Sequence, residues 1–316
     1  MKKTVSVLLA ILLLLPAFCL ISCQEQKPTV AIIQFGSHAS LNNCYDGIMA
    51  GLAAGGTDLS AYRVERVNSN FDSSLSKSQA NSFVNGKAAV IIAIATPSAV
   101  SAATAADGEI PVVFCAVTDA SVMSRFENVT GSSDIPDFNE QLKTVTAFLG
   151  KSEVNVGVLF STEEPGSPFQ LAELKKAAAS FPGMTVTDSA VADINTIDTK
   201  VEELLNRGVD CLINLLDNTV VGKLESNILP ITDERGIPVF GSEIEQVKVG
   251  CLAGASIEYL DVGKVAGLAA ARILAGERAG DIPVATVTQP TVYFNSSVAR
   301  RLSITVPQEN YTDVVR

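Results

Sequence analysis

The sequence is poor in the residues that most metal, nucleotide and nucleic-acid chemistry requires. A single histidine occurs in 316 residues, which puts His-rich catalytic zinc out of reach. Tryptophan is absent, so the ring on which sugar sites most often stack is missing, although Phe35, Phe114, Phe138, Tyr45 and Tyr259 remain as stacking candidates or core. Lys and Arg total 23 against 34 Asp and Glu, a net charge of -11. No cationic cluster interrupts that excess, which excludes nucleic acid as a partner. Gln34-Phe-Gly36-Ser-His38 carries one glycine where a dinucleotide site would carry three, and GxxxxGK[ST], HExxH and GxSxG do not occur. Phosphate-loop, zinc-protease and nucleophile-elbow chemistry therefore lack their signatures. His38 and Cys44 could be imagined as a nucleophile pair, but Cys44 falls on the inward face of a predicted helix. The sequence reads as that of a non-enzyme with no cofactor.

What is present is a large apolar fraction, 47%, with only 18% charged residues. That composition buries a sizeable core, and the length suits two domains. Lys2 and Lys3 precede an apolar stretch from Val5 to about Ile21, the layout of a secretory signal. It ends in Leu20-Ile21-Ser22-Cys23, which looks like a bacterial lipobox with Cys23 as the lipidated residue. The expectation is a signal peptide over 1–22, a lipidated tether over 23–27 and an extracytoplasmic protein held on a bacterial membrane by its lipid. An uncleaved transmembrane anchor is the other reading of the same stretch. Of the remaining cysteines, Cys115, Cys211 and Cys251 lie in apolar strand-like runs. With Cys44 they show wide, irregular spacings and no CxxC, so the four read as buried free thiols rather than disulfides or a metal site.

From Thr29 onward, short apolar runs alternate with amphipathic segments. Thr29–Phe35, Tyr62–Asn68, Ala89–Ala95 and Val112–Val117 read as strands, with helices over Leu41–Ala54, Ser74–Val84 and Pro97–Ala106. Runs apolar on both faces mark buried parallel strands, so the alternation predicts a doubly wound α/β sheet. The pattern restarts with strands at Val156–Phe160, Met184–Val191, Cys211–Leu216 and Pro238–Gly241. Helices follow at about Pro168–Ser180, Ile197–Arg207 and Asn218–Leu229. Ala89–Val100 lies over Asp210–Val221 at a constant offset of 121, and Ile110-Pro-Val-Val-Phe echoes Ile237-Pro-Val-Phe. Two similar lobes are therefore expected. A further helix over Tyr259–Gly276, the stretch Asp281–Gln289 and a Tyr293–Val306 segment suggest that the chain crosses between lobes more than once. The result would be a multi-strand hinge beside a cleft.

Open α/β sheets bind ligands at the carboxyl ends of their strands. Gln34, Ser37 and His38 follow the first strand. Thr96-Pro97-Ser98 follows the third, with Thr96 as a candidate N-cap whose helix start favours an anion such as a ligand carboxylate. Thr118-Asp119 follows the fourth strand, and Asp217-Asn218-Thr219 and Ser242-Glu243 follow strands of the second lobe. Ser132, Ser133 and Asp134 sit where the chain should change lobes. Several acids without neighbouring cations suit a cationic group such as an α-ammonium. Asp119 and Asp217 can equally be helix caps; their shared position, one in each lobe, favours ligand contact.

Val30-Ala-Ile-Ile-Gln-Phe-x-x-His38, Ile94-Ala-Thr-Pro97, Pro111-Val-Val-Phe-x-Ala-Val-Thr-Asp119, Asn128-Val-Thr-Gly-x-Ser-Asp134 and Asp217-Asn-Thr-Val220 carry a resemblance. Together with Ile237-Pro-Val-Phe-Gly and Asp261-Val-Gly263, they are similar to the ABC-transporter substrate-binding protein family typified by tryptophan/tyrosine-type binding lipoproteins. The resemblance implies a type I periplasmic-binding-protein fold with three crossovers, lobe one being 28–132 plus 257–284 and lobe two 133–256 plus 285–316. It further implies ABC permease and ATPase partners, and an aromatic or other hydrophobic amino acid held through Thr96, Ser98, Thr118, Asp119, Asp134, Asp217 and Asn218. A ligand sensor, or a receptor for a nucleoside or sugar, are the rival expectations. The loops His38-Ala-Ser-Leu-Asn42, Gly241-Ser-Glu-Ile-Glu245 and Ala255-Ser-Ile-Glu-Tyr259 depart from the family's usual blocks, which bears on the side-chain pocket more than on the binding mode.

Overall fold

The computed structural model describes residues 27–287 and 290–315. The signal peptide, the lipidated Cys23 and most of the tether lie outside the described residues. Among the described residues, no helix is long and apolar enough to cross a membrane.

The first lobe opens with β1 (Thr29–Gln34), α1 (Ala39–Ala54), β2 (Arg63–Asn68), α2 (Ser73–Asn85), β3 (Val90–Ile94), α3 (Thr96–Ala106), β4 (Val112–Cys115) and β5 (Val129–Ser133). The second repeats the plan with α4 (Phe138–Leu149), β6 (Val154–Ser161), α5 (Gly166–Ala178), β7 (Met184–Val191), α6 (Ile197–Asn206), β8 (Cys211–Asn214), α7 (Asn218–Val221), α8 (Leu229–Glu234), β9 (Val239–Gly241), α9 (Ile244–Val249) and β10 (Ala253–Ser256). The chain then returns as α10 (Tyr259–Leu274) and β11 (Ala285–Thr286), and ends in β12 (Thr291–Phe294), α11 (Ser296–Arg301) and β13 (Thr312–Asp313).

One sheet runs β11-β5-β4-β3-β1-β2 and the other β13-β12-β10-β9-β8-β6-β7. The orders superpose strand for strand, β1 on β6 through β5 on β10, which is the duplication that the sequence echoes announce. Pairing is parallel except for β10 with β12. Every residue of β1 and β3 is buried, whereas the edge strands β2 and β7 are mostly half-exposed. The even-numbered residues of β1, Val30 and Ile32, face α1 and α10 in one core. Ala31 and Ile33 face α2 and α3 in another. A strand with core on both faces reads as a continuous apolar run.

The chain changes sheet after β5, after β10 and after β11. The last change comes after Thr286, because Ala285 and Thr286 pair with Ser132 and Ser133 in the first sheet. That lies two residues beyond the expected limit of lobe one at 284. The expected helix Asn218–Leu229 is broken. It stops at Val221, passes through a π-helical turn over Leu224–Ile228 and restarts at Leu229. Pro230 has no N–H and fits only the first turn of a helix, so the run has to restart ahead of it.

Helix α10 packs on α1 with backbones nearly touching. A Cβ at Gly263 would lie 2.1 Å from the carbonyl oxygen of Cys44, closer than any real contact. Gly263→Val is therefore expected to cost about 1–3 kcal/mol through overpacking, read as a lower urea midpoint with an unchanged m-value.

Candidate ligand-binding site

Between the lobes, the carboxyl ends of three equivalent strands from each sheet converge on one cavity. From the first lobe come His38 and Ser40 after β1, Thr96 after β3, and Ala116 and Thr118 after β4. From the second come Glu164 and Gly166 after β6, Leu216 and Asn218 after β8, and Glu243 and Gln246 after β9. Asp134 and Tyr259 line it from the first and second crossings. The inner space is about 20 Å³, room for a water molecule or two. Towards solvent, His38, Ser40, Val221, Glu243 and Gln246 also wall a wider chamber of about 710 Å³, joined by Ser37, Leu224, Glu225, Glu245 and Val249. That is the size range of small-molecule sites.

Two backbone kinks shape the inner wall. Ala95 and Ala116 hold φ of 76° and 56°, left-handed values that a non-glycine residue adopts only under local constraint. The kink at Ala95 makes it the N-cap of α3, and no side chain caps that helix. Thr96 is therefore the first helical residue rather than the cap, and the uncapped first turn of α3 is turned on the cavity with its dipole.

The carboxyls are held by neutral donors. Asp134 accepts from the Thr118 hydroxyl at 3.0 Å and from the Tyr259 hydroxyl at 2.8 Å. Burial raises its pKa against those bonds. The Tyr259 hydroxyl, pushed well above its ordinary pKa by burial and then by Asp134, stays a donor. Glu243 accepts from the backbone amides of Glu245 and Gln246 at 2.8 and 3.1 Å, and burial lifts its pKa to about 7. Around it, Glu245, Tyr259, Cys44 and Cys251 are titratable neighbours, and His38, whose pKa burial lowers, shares both cavity walls with it; no Lys or Arg does. The buried Ser40 hydroxyl faces Glu243 without completing a hydrogen bond. Glu164 accepts from the Asn218 amide and from the Thr219 N–H at 3.3 Å. Burial, then the nearby Asp217, raise its pKa well above the ordinary value.

A polar chain ties the lobes across the cleft. The Asn218 amide donates to Glu164, so its oxygen faces His38 Nε2 at 3.0 Å and that ring nitrogen carries the hydrogen. Burial holds the His38 pKa below the ordinary imidazole value, against the Asn218 bond. The ring is stacked on Phe71, centroids 6.4 Å apart and planes 4° from parallel. Asn43 donates to Glu245 at 3.3 Å as a second link.

Of the expected site residues, His38, Thr96, Thr118, Asp134, Asn218 and Glu243 are brought together at the inner cavity, and Ser37 at the outer chamber. Four are placed elsewhere. Ser98 bonds the Ser76 hydroxyl at 3.2 Å beneath α3, and Ser133 donates to the Thr118 carbonyl at 3.3 Å. Asp119 turns outward and caps a 3₁₀ turn through Ser121. Asp217 is fully buried behind the cavity, accepting from Ser161 N, Ser167 Oγ, Thr219 N and Val220 N. Asp119 and Asp217 do not share a position either, because Asp119 follows β4, whose counterpart is β9, and Asp217 follows β8. Of the aromatics considered for stacking, Tyr259 reaches the cavity, while Phe35, Phe114 and Phe138 are core and Tyr45 lies under the Arg66 guanidinium at 4.0 Å. Glu164, Ser40 and Gln246 are lining residues that sequence reasoning missed. Glu164 was within reach of the same rule, since Glu163-Glu164 follows a predicted strand.

Residues 29–312 match the family described as ABC transporter substrate binding protein. A protein of Clostridioides difficile named as a tyrosine-binding protein is 28% identical over 288 residues, 89% of this chain and 82% of that one. A solved ABC domain from Streptococcus pneumoniae in complex with L-Trp is 27% identical, with a TM-score of 0.85 over 91% of this chain and 100% of its own. The ligand-free, open structure of a substrate-binding protein with adhesive properties from Clostridium difficile is 28% identical, covering 90% of this chain and 99% of its own, yet its TM-score is 0.67. At near-equal identity the structure thus superposes better on the ligand-bound relative than on the open one.

Proposed function

Because the chain belongs to the ABC transporter substrate-binding protein family, we propose that it is the extracytoplasmic receptor of an ABC importer, holding an amino acid between its lobes for delivery to the permease. It binds a small ligand and is not an enzyme; the permease and ATPase subunits do the transport work. The observation that carries the reading is the closed cleft itself, with six strand ends, an uncapped helix start and hydrogen-bonded carboxyls facing one cavity. The helix start and the Thr96 hydroxyl suit an α-carboxylate, and Asp134 suits an α-ammonium. An aromatic or hydrophobic side chain is the family-based expectation, supported by the names of the tyrosine- and L-Trp-binding relatives. Ligand affinity for the closed state in excess of that for the open one would drive closure.

A thermal-shift screen of the purified protein against amino acids, nucleosides and sugars tests this reading. An amino acid is expected to raise the melting temperature in a concentration-dependent way. A shift given only by a nucleoside or a sugar would discard the amino-acid site. For the membrane tether, Cys23→Ala is expected to move the protein from the membrane to the soluble fraction, and continued tight attachment would favour an uncleaved anchor instead.

A further inference from the structure

Resting on the receptor reading but departing from the family-based aromatic or hydrophobic side chain, we propose that the ligand is an organic cation, with at least two ammonium or guanidinium groups against at most one carboxylate. Asp134, Glu164 and Glu243 line the inner cavity, and Glu225 and Glu245 join Glu243 in the outer chamber. Neither lining contains Lys or Arg. Glu245 is spoken for by Lys248 at 2.9 Å and Asn43; the three inner carboxyls meet hydroxyls, a side-chain amide, backbone N–H groups and, at Glu164, the carboxyl of Asp217, but no cation.

A neutral amino acid brings one ammonium and one carboxylate, and so leaves the charge of the closed cleft unchanged. Buried carboxylates without counter-charge oppose closure, whereas a second cationic group on the ligand would offset them. Independently, the Ser40 hydroxyl is 2% exposed, points at the same cavity beside Glu243 and has no hydrogen-bond partner. It is left over to accept from, or donate to, a bound ligand. A bare metal ion does not answer the same need, because no three metal-ligating side chains among the described residues are grouped to hold one. Leu216 and Val221 in the inner wall, and Leu224 in the outer, provide an apolar path from the inner carboxyls to Glu225. A flexible alkyl stem with a charged tip fits such a path.

The test is calorimetric titration of the full chain at pH 8 with L-lysine, L-arginine, L-ornithine and putrescine, against L-phenylalanine, L-tyrosine and L-leucine. One of the cations is expected to bind about 100-fold more tightly than any neutral amino acid, and Glu243→Gln to shrink that preference about tenfold or more. Should Glu243→Gln fail to fold, Glu164→Gln carries the same expectation. Putrescine as the tightest ligand would support the charge assignment in a form without a carboxylate. A neutral amino acid tighter than every cation would overturn the assignment and leave the receptor reading standing. Absence of binding by all seven would likewise overturn the assignment, and the thermal-shift screen above then decides the receptor reading on its own.

Discussion

Asp217→Ala is expected to remove about 3–5 kcal/mol of stability, and with it tight ligand binding, although Asp217 does not line the cavity. Its carboxylate is wholly buried. One oxygen accepts from the amides of Thr219 and Val220 at 3.1 and 3.0 Å, which starts α7. The other accepts from the Ser161 amide and the Ser167 hydroxyl at 2.5 and 2.7 Å, which ties the ends of β6 and α5 to the end of β8. Alanine leaves the Ser161 and Val220 amides and the Ser167 hydroxyl unpaired, and leaves the Thr219 N–H with Glu164 alone. It also releases Asn218, the next residue, whose amide and oxygen join Glu164 to His38 across the cleft. Urea denaturation and calorimetry on the same sample separate the two effects. A loss below about 1 kcal/mol would mean that water reaches the site and satisfies the donors.

The second large effect is on pH dependence. In the empty closed cleft, burial holds Glu243 at about 7 and raises Asp134 and Glu164 in the same direction. A carboxyl whose pKa is raised on closing binds more protons closed than open between its ordinary value and its raised one. Its contribution to the empty closed state is therefore fully present at low pH and is lost as pH rises through 7. A cationic ligand reverses the preference, since it needs the carboxylate ionised and must expel the proton below pH 7. Affinity for a cationic ligand should thus be about tenfold weaker at pH 6 than at pH 8 from Glu243 alone. Glu243→Gln should flatten the profile between those limits. A flat profile in the unmodified protein would remove Glu243 from the binding reaction.

Much of the architecture is legible without coordinates because its signals are local. β1 and β3 are buried on both faces, so their apolar runs announce parallel strands, and the offset between Ala89–Val100 and Asp210–Val221 announces the second lobe. The site was only half legible. The strand-end rule finds Thr96, Thr118, Asn218 and Glu243, because topology alone sends those positions to the cleft. It cannot tell which way a side chain turns there, and so it includes Asp119, which faces out to cap a turn, and Ser98 and Ser133, which bond neighbouring segments. Asp217 and Glu164 show the limit from the other side. They lie 53 positions apart in sequence and share one donor, the Thr219 N–H in α7, and only the packing of β6 beside β8 decides that Glu164 meets the cavity while Asp217 supports it from behind.

The lobes are expected to close on a ligand. Small-angle scattering of the protein, alone and saturated with whichever compound raises its melting temperature most, tests it most directly. An expanded ligand-free protein, as in the open relative, is expected to contract on saturation to a profile matching the closed structure described above. A ligand-free profile that already matches the closed structure, or one unchanged by saturating ligand, would contradict it.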